Sequence, residues 1–337
     1  MEFLDGFMKI EINNFFLEFK TPFAIAHGTR SGTDLVFLKL EHENIIAHGE
    51  ASLPPYLPDT QESVHKFVNA FFKVHTDLSE GLPSLLNTLM NFEEGNFAAK
   101  ACVDIALHNW FAQKKGVPVW KMLGLNNSPL PLCTFTIGMD DKAGIKRKVA
   151  EAGEFKLLKI KLGGNNDREI ITVIREVTDK PLCVDVNQGW HHDKEMALEM
   201  ITWLKTQGVI LVEQPLDKTD FEGQRWLHER SPLPIIADEA AQVLADVERL
   251  KDIYDGVNVK LMKCGGIGEG LKMIHEARKY NLKVLVGSMS ESGLAISAAA
   301  NLSSLADWVD LDGPLLTKNN PFDVVKYFDG KIVTSDK

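Results

Sequence analysis

Short apolar runs recur along the last two thirds of the chain, and the segments between them have helical patterns. The intervening segments include EMALEMITWLKTQG and GLKMIHEARKYN, in which apolar residues return at helical spacing. Short strands that alternate with helices predict a parallel sheet, and eight of them predict closure into a barrel. The eight runs cover residues 132–137, 157–162, 182–186, 209–213, 234–238, 256–260, 283–287 and 307–311.

The chain before these runs has a different pattern. The segments FMKIEINNFFLEF and DLVFLKLEHENIIAHGEA have strand character, and the second contains a turn near Glu43 and Asn44. Helical segments follow, the last over residues 96–115, where an apolar stripe is ended by Gly116 and then Pro118. These features predict a separate domain of strands and helices ahead of the barrel.

The Asn- and Pro-rich segment 126–131 is the predicted boundary between the two domains. We therefore expect an N-terminal domain of residues 1–128 and a barrel domain of residues 129–311. The remaining residues, 312–337, are too few for a third domain, and we expect them to pack back on the first one.

Three acidic residues stand at the ends of three consecutive runs. Asp185 closes LCVD, Glu213 closes VILVE and Asp238 closes PIIAD, so they are spaced one strand and one helix apart. The carboxyl ends of barrel strands meet at one mouth, where the active sites of such barrels lie. Because carboxylate oxygens suit hard cations, the pattern predicts a Mg²⁺ site there, with Mn²⁺ as a plausible substitute.

Lysines flank the acidic residues on both sides. Lys159 and Lys161 end the run before them, and Lys260 ends the run after them. Side chains alternate along a strand, so Lys159 shares a face with Lys161, Asn258 with Lys260, and Asp310 with Asp312. These polar side chains are therefore expected to converge inside the mouth, while their apolar neighbours face the outer helices.

Composition excludes several classes of protein. A chain of 337 residues with 45% hydrophobic residues can bury two cores without disulfides. Its four cysteines form no CxxC pair, which favours reduced thiols in the cytoplasm. No signal peptide or spanning run is evident, and a net charge of −10 disfavours a nucleic-acid surface. A cytoplasmic enzyme with no membrane or nucleic-acid partner is expected.

Several short motifs occur in one order along nearly the whole chain. They are GEA at 49–51, AKACVDIAL, KKGVPVWKMLG, KIK, DVNQGW, EQP, ADE, VKLMKCGG and DLD at 310–312. In this order the sequence resembles the enolase superfamily, in its muconate-lactonizing subgroup, and most of all the dipeptide epimerases. The resemblance implies an α/β fold, a modified TIM barrel of the (β/α)7β type under an N-terminal α+β capping domain. It also implies a homo-oligomer, and Mg²⁺ bound by Asp185, Glu213 and Asp238.

The same resemblance implies that the lysines are acid/base groups. A carbon beside a carboxylate is a very weak acid, so its deprotonation requires an enediolate stabilised by metal and lysine charges. Lys161 and Lys260, on opposite sides of the barrel, could address opposite faces of one carbon and thus catalyse a 1,1-proton transfer. We expect a lowered lysine pKa near the metal, and we expect Lys159 to stay charged and pair with the substrate carboxylate or with Lys161.

The end of the eighth barrel strand indicates the substrate class. In dipeptide epimerases a DxD motif binds the substrate's α-ammonium group, and Asp310 and Asp312 fit that motif. A muconate cycloisomerase or an o-succinylbenzoate synthase has no such cation to bind and is the second hypothesis. A barrel that only binds ligand, without catalysis, is the third.

Specificity for the second residue is predicted from the loop after the first strand. Where epimerases that act on Ala-Glu have an Arg, this chain has Ala24. A small neutral dipeptide of the Ala-Ala type, including the D,D form of cell-wall metabolism, is therefore predicted ahead of L-Ala-D/L-Glu. Arg30 lies nearby and could replace the missing Arg after a loop shift. Further candidate contacts are Phe23, Ile25 and Tyr56 for an apolar pocket, Thr134 or Thr136 for the peptide group, and Ser288 and Met289.

Four neighbouring residues allow alternative roles. Lys263 follows the strand that carries Lys260, and we expect it to be solvated or structural. Asn187 could bridge to the metal through water or cap a turn, and Glu239 could pair with a lysine of the mouth. Asp104, on the helix of residues 96–115, is expected to make buried hydrogen bonds and to take no part in catalysis.

Overall fold

The computed structural model describes residues 8–25 and 28–334, without the side chains of residues 23–25 and 334. The N-terminal domain begins with a three-stranded antiparallel sheet whose centre is the second strand. Glu43 and Asn44, at φ values of 48° and 60°, form the tight turn expected between the last two strands. The strands are β1 (Lys9–Ile25), β2 (Gly28–His42) and β3 (Ile45–Leu53).

Four helices complete an α+β domain: α1 and α3 pack against the sheet, and α2 and α4 pack on α3. The longest helix, α3, was predicted to bury one stripe, but most of its residues are buried. The reason is that α3 is covered by β3 on one side and by barrel helices on another. Gly49 of β3 permits this packing, since a Cβ there would lie 1.9 Å from the Cys102 carbonyl oxygen. The helices are α1 (Gln61–Val74), α2 (Leu82–Asn91), α3 (Phe97–Lys115) and α4 (Val119–Met122).

Eight parallel strands follow and form one sheet in chain order, which confirms the predicted barrel. A parallel bridge between Cys133 and Val309 joins the first strand of the barrel to the last. The strands are β4 (Thr134–Ile137), β5 (Leu157–Lys161), β6 (Leu182–Asp185), β7 (Val209–Glu213), β8 (Ile235–Ala237), β9 (Gly256–Val259), β10 (Lys283–Gly287) and β11 (Trp308–Asp310).

Helices connect the successive barrel strands on the outside. A short 3₁₀ turn, Gly313–Leu316, follows β11 in place of an eighth outer helix, so the barrel has the (β/α)7β form that the resemblance implied. The helices are α5 (Lys142–Glu151), α6 (Asp167–Arg175), α7 (Lys194–Thr206), α8 (Phe221–His228), α9 (Leu244–Leu250), α10 (Leu261–Cys264), α11 (Ile267–Lys279) and α12 (Gly293–Ala300).

Alternation along the strands separates the inside of the barrel from its outer core. Leu157, Cys183, Leu211, Ile236 and Leu285 form a separate buried apolar cluster. These five side chains point into the barrel. Residues at the alternate positions of the strands, such as Ile160 and Val259, point outward and are buried in the main core. The polar residues at the strand ends therefore have an apolar layer beneath them.

The C-terminal segment contacts both domains. The Lys318 amide donates to the Glu18 carbonyl at 2.8 Å, and so joins the segment to β1. A hairpin of β12 (Val325–Phe328) and β13 (Lys331–Thr334) follows, and its Gly330 carbonyl accepts a hydrogen bond from the Cys133 amide. The limits at residues 128 and 311 stay predictions. No helix in the described part of the chain has the length and apolar character needed to cross a membrane.

Candidate active site

Three carboxylates meet at the mouth of the barrel. Asp185 and Glu213 are the last residues of β6 and β7, and Asp238 directly follows β8. One oxygen from each lies within 4.8 Å of the other two, and none of the three residues is more than 3% exposed. The structure therefore brings together the three acids predicted as ligands, in a buried all-oxygen set of the kind that Mg²⁺ prefers.

Neutral hydrogen bonds fix the orientation of these carboxylates. The Asn258 amide donates to Glu213 Oε1 at 2.7 Å, and the Asn187 backbone amide donates to Asp185 Oδ1 at 3.1 Å. Gly287 leaves room for the Asn258 side chain, because a Cβ there would lie 2.6 Å from Asn258 Oδ1. Two of the three acids, Asp185 and Glu213, are thus oriented by neutral donors before any ligand binds.

The three predicted lysines surround the same carboxylates. Lys159 Nζ lies 3.0 Å from Asp185 Oδ2 and 2.8 Å from Glu213 Oε2. Lys161 Nζ contacts Asp185 Oδ2 at 2.6 Å from the β5 side. Lys260 Nζ contacts Asp238 Oδ2 at 2.7 Å from the β9 side. Lys161 and Lys260 therefore approach the acidic cluster from two directions.

Lys263 is a fourth lysine of this cluster and is structural. It is only 3% exposed, so the solvated alternative is wrong. Its ammonium donates to Asp238 Oδ1 at 2.6 Å and also to the carbonyls of Asp238 and Asn258. The short helix α10 returns Lys263 to the strand end, whereas the sequence pattern indicated only a turn after the strand. Lys263 therefore holds one side of the Asp238 carboxylate.

Burial and charge act in opposite directions on the carboxyl groups. Burial alone would raise the pKa of Asp185, but Lys159 and Lys161 lower it to about 2. Burial and the charge of Asp185 raise the pKa of Glu213 to about 7. Burial works against ionisation of Asp238 too, yet Lys260 and Lys263 hold its pKa below the usual range. Lysine contacts thus lower the pKa of two of the three carboxyl groups, and burial beside another carboxylate raises the pKa of the third.

The lowering of lysine pKa expected beside a bound metal stays a prediction. Burial lowers the pKa of Lys260, but the carboxylates of Asp238 and Glu213 outweigh it and raise the pKa above the usual value. For Lys159 the opposing carboxylates likewise outweigh burial and raise the pKa. The expected lowering assumed that cations lie nearest to the lysines. The contacts of Lys159 and Lys260 at 2.7 Å are instead with carboxylates. A divalent cation held by the same carboxylates would offset this effect.

Asp310 and Asp312 face the cluster from the end of β11. Asp310 accepts hydrogen bonds from the Thr134 hydroxyl at 2.6 Å and from Lys159 Nζ at 2.7 Å. Asp312 accepts one from the Thr136 backbone amide at 2.6 Å and one from the Thr136 hydroxyl at 3.2 Å. Both threonine hydroxyls thus contact aspartates, and their predicted contact with a peptide group stays a prediction.

A cavity of about 1040 Å³ opens above these residues between the barrel and the capping domain. Its volume is at the upper end of the range typical of small-molecule sites. Most of the predicted site residues line it. The lining includes Lys159, Lys161, Asp238, Lys260, Asp310, Asp312, Thr136, Ser288 and Met289 from the barrel, and Phe19, Lys20, Arg30, Tyr56 and Leu57 from the capping domain.

Arg30 and Lys20 are the cations of the described capping-domain residues that line the cavity, and the partly buried one is Arg30. Its guanidinium lies over the rings of Phe19 and Tyr56, at 5.7 Å and 5.5 Å from their centroids. Among the described residues, its buried Nη1 has no hydrogen-bond partner. Sequence inspection noted Arg30 only as a substitute for a missing Arg. The antiparallel register, which pairs Phe23 with Arg30, places it at the mouth.

Only some of the other capping-domain residues predicted to contact the substrate are described by the structure. The backbone of residues 23–25 belongs to β1, but the side chains of Phe23, Ala24 and Ile25 lie outside the described residues. Tyr56 is described, and its hydroxyl lies 3.4 Å from Met289 Sδ across the domain boundary. The apolar pocket predicted from these residues stays a prediction.

Asn187 and Glu239 form a polar pair on the cavity wall. Asn187 has a φ of 47°, and its amide donates to Glu239 Oε1 at 3.3 Å. Burial and the charge of Asp238 raise the pKa of Glu239 to about 8. Within the described residues Glu239 therefore has an amide partner and no lysine partner, in contrast to the pairing considered from sequence.

Asp104 confirms the non-catalytic alternative. Its carboxylate accepts hydrogen bonds from the backbone amides of Ile267 at 2.6 Å and Gly268 at 3.2 Å. These amides are the first of helix α11, so Asp104 of the capping domain caps a barrel helix. Asp104 therefore connects the capping domain to the barrel.

A parallel barrel whose mouth holds three buried carboxylates and facing lysines, covered by an α+β cap, is the architecture of the enolase superfamily. A family model described as "Enolase C-terminal domain-like" matches residues 140–311. A second, described as "Mandelate racemase / muconate lactonizing enzyme, N-terminal domain", matches residues 9–124. The chain belongs to the mandelate racemase / muconate lactonizing enzyme family.

Similar proteins within this family include dipeptide epimerases. An L-Ala-D/L-Glu epimerase of Bacteroides thetaiotaomicron is 42% identical over 99% of this chain and 87% of its own length. The substrate-liganded L-Ala-D/L-Glu epimerase of Bacillus subtilis has a TM-score of 0.91 at 27% identity, over 98% of this chain and 97% of its own. A dipeptide epimerase of Enterococcus faecalis, complexed with Mg and L-Leu-L-Tyr, has a TM-score of 0.89 at 26% identity, over 98% of both chains.

Proposed function

We propose that this protein is a Mg²⁺-dependent dipeptide epimerase, which inverts the α-carbon of the C-terminal residue of its substrate. One observation carries the proposal: Lys161 and Lys260 reach one carboxylate cluster from β5 and β9, at 2.6 Å and 2.7 Å from different acids. Two bases on opposite sides of one carbon can remove a proton from one face and return a proton to the other. That is the requirement for epimerisation through a 1,1-proton transfer.

The donor set fits a magnesium ion. Asp185, Glu213 and Asp238 would hold it, since their oxygens lie within 4.8 Å of one another and are buried. Glu213 Oε2 has an ammonium contact but no hydrogen bond among the described residues, so it retains free acceptor capacity. When bound, the metal supplies positive charge next to the substrate carboxylate, which stabilises the enediolate. The complex of the Enterococcus faecalis relative with Mg supports this assignment.

The protein's own side chains have separate roles in the proposed reaction. Lys161 and Lys260 exchange roles as base and acid according to the configuration of the bound dipeptide. Lys159, buried among three carboxylates, stays protonated and adds positive charge beside the substrate carboxylate. These side chains face one cavity between the barrel and the capping domain.

The position of Arg30 indicates which amino acid occupies the second position of the dipeptide substrate. Its buried Nη1, free of hydrogen bonds within the described part of the chain, lies in the wall of the substrate cavity. A buried cationic donor of this kind is best satisfied by a carboxylate. This observation favours the L-Ala-D/L-Glu alternative over the neutral Ala-Ala type predicted from Ala24. The similarity to an L-Ala-D/L-Glu epimerase at 42% identity supports the same choice.

A dipeptide library incubated with the protein and Mg²⁺ in deuterated water tests the proposal. Mass spectrometry of each dipeptide reports uptake of one deuterium at the α-carbon, and chiral chromatography reports inversion. We expect uptake in dipeptides with a free N-terminus, with L-Ala-L-Glu ahead of its uncharged isostere L-Ala-L-Gln. Uptake in no dipeptide, together with turnover of a muconate or succinylbenzoate precursor, would replace the proposal with the cycloisomerase class. Faster turnover of L-Ala-L-Gln would restore the prediction of a neutral substrate.

A further inference from the structure

Two buried glutamates meet where the capping domain packs on the barrel. Glu50 belongs to β3, and Glu291 lies in the segment that joins β10 to α12. Glu50 is 0% exposed and Glu291 is 1% exposed. Within the described part of the chain, neither carboxyl group forms an ion pair with a basic side chain. Two ionised carboxylates here would repel each other without a paired cation, so we expect at least one of them to hold a proton.

Hydrogen bonds distinguish the two carboxyl groups. Glu50 accepts from the backbone amides of Ser292 at 2.8 Å and Ala295 at 3.1 Å, and also from the Ser292 hydroxyl. Glu291 accepts from the Met289 amide at 2.8 Å, and its buried Oε2 has no partner among the described residues. Donors that point at a carboxylate favour its charged form. Glu50 is therefore the ionised member of the pair, and Glu291 is the member that holds the proton.

The charges around Glu291 agree with this assignment. Burial and the charge of Glu50, from β3, raise the pKa of Glu291 to about 8. Lys260, directly after β9, opposes this rise, as does the hydrogen bond from the Met289 amide. Burial raises the pKa of Glu50 as well, although its own hydrogen bonds oppose the rise. Glu291 is therefore neutral at about pH 7 and becomes charged as the pH rises past about 8.

The segment between β10 and α12 also forms part of the substrate cavity. Ser288, Met289 and Ser290 line the cavity from the barrel side. The Ser290 carbonyl accepts a hydrogen bond from the Ser52 hydroxyl at 2.7 Å, and Met289 Sδ accepts one from the Tyr56 hydroxyl at 3.4 Å. Ser52 and Tyr56 belong to the capping domain, and Tyr56 lines the cavity. These contacts therefore fix the position of the capping domain relative to the barrel at the edge of the cavity.

We propose that Glu291, as a neutral carboxylic acid, is a positioning residue that holds the segment between β10 and α12 against the capping domain. Release of its proton to solvent places two negative charges in one buried contact, and their repulsion moves the segment away from β3. Met289 and Tyr56 then separate, so the cavity opens and binds dipeptides less tightly. This inference rests on the proposed dipeptide epimerase function. The metal ligands and lysines keep their own contacts, so KM should change more than kcat.

The pH dependence of KM tests this role. Initial rates of α-proton exchange in L-Ala-L-Glu give kcat and KM for the wild type and for Glu291→Gln, whose amide keeps an acceptor for the Met289 amide and cannot ionise. The ratio of the two KM values cancels the titration of the substrate itself. We expect this ratio to be near one at about pH 7 and to rise about threefold or more by about pH 9, with the kcat ratio unchanged. A KM ratio that stays constant over this range would overturn the inference.

Glu50→Gln provides the matched control for repulsion. With Glu50 neutral, a charge on Glu291 has no like charge to repel. We expect the KM ratio between Glu50→Gln and the double variant Glu50→Gln/Glu291→Gln to stay within about twofold of one from about pH 7 to about pH 9. A rise as large as in the wild-type background would show that Glu291 acts on KM without Glu50, and this too would overturn the inference.

Amide hydrogen exchange, measured by mass spectrometry on the unliganded protein, requires neither turnover nor the Glu50 variant. At about pH 9, peptides covering residues 50–57 and 288–295 should exchange about threefold or more faster in the wild type than in Glu291→Gln. A peptide covering residues 182–186 of the barrel should exchange equally in both proteins. Equal exchange of all three peptides would overturn the inference. Absence of α-proton exchange in every dipeptide would instead defeat the proposed function and leave this measurement unaffected.

Discussion

The two walls of the cavity are built differently. On the barrel wall, Asp185, Glu213 and Asp238 are at most 3% exposed, and each contacts a lysine ammonium at 3.0 Å or less. On the capping-domain wall, Tyr56 is 53% exposed, and the buried Nη1 of Arg30 has no hydrogen-bond partner among the described residues. The barrel wall is therefore preorganised by its own contacts, whereas the capping-domain wall has polar capacity left for a ligand.

This difference assigns chemistry and specificity to separate parts of the chain. Residues on rigid strand ends are held within the narrow geometry that proton transfer needs. Residues on the loops and hairpin of the capping domain can change without disturbing that geometry. Substitutions on the barrel wall should therefore abolish reaction on every dipeptide, and substitutions on the capping-domain wall should change which dipeptide is preferred.

The largest effect is expected from the two lysines. Lys161→Ala and Lys260→Ala should each lower the rate of epimerisation by about a thousandfold or more, because inversion needs a proton donor on each face. Chiral chromatography of the product after long incubation measures this. Near-wild-type epimerisation by Lys260→Ala, with loss in Lys263→Ala, would show that the second base has been misassigned.

Metal removal should have the next largest effect. Exhaustive chelation should reduce activity below detection, Mg²⁺ should restore it, and Mn²⁺ should substitute, since all three ligands are carboxylates. Activity assays after dialysis and readdition of metal measure this. Full activity in the chelated protein would contradict the role given to the barrel wall.

Arg30 should produce a smaller and selective effect. A charge-assisted pair contributes about 1.5–3 kcal/mol, so Arg30→Ala should reduce the preference for L-Ala-L-Glu over L-Ala-L-Gln by about tenfold or more. Its kcat on L-Ala-L-Gln should change little, because the lysines are untouched. Arg30→Lys keeps the charge and should retain part of the preference. If Arg30→Ala leaves the ratio of activities on the two dipeptides unchanged, Arg30 does not determine specificity.

The smallest effect concerns Glu291, beside a contact between the two domains. There Glu50 of β3 accepts hydrogen bonds from the backbone amides of Ser292, which caps α12, and of Ala295 within α12. Burial and the charge of Glu50 raise the pKa of Glu291 to about 8, from 4.5. A carboxyl group whose pKa is higher in the folded than in the unfolded protein stabilises the fold at pH values below its unfolded pKa. That stabilisation is lost as the pH rises towards 8. The Tm of wild type should therefore fall more steeply than that of Glu291→Gln over this range, by about 2 °C or more. Parallel slopes would show that Glu291 does not titrate there.

The barrel wall could be predicted from sequence, since strand spacing alone fixes which residues share a mouth. Asp185, Glu213 and Asp238 end consecutive strands, so parallel topology brings them together with few other possibilities. The inward faces of Lys159 and Lys161 follow from alternation in the same way. These features depend on local periodicity, which the sequence carries explicitly.

Features that depend on turns and long-range pairing could not be predicted in this way. The burial of Lys263 depends on the short helix α10, and the position of Arg30 depends on the register of a hairpin. The lysine pKa values depend on which charges lie nearest in space. The nearest charges proved to be the carboxylates. Each of these features requires distances between residues that are remote in sequence.

The central claim is that Lys161 and Lys260 serve opposite faces of one α-carbon. The most direct test is α-proton exchange in deuterated water with the L,L and L,D forms of the preferred dipeptide, measured separately in Lys161→Ala and Lys260→Ala. The account predicts that each variant exchanges the proton of one stereoisomer without inverting it, and that the two variants retain opposite stereoisomers. Retention of the same stereoisomer in both variants, or exchange of both stereoisomers in either one, would contradict the account.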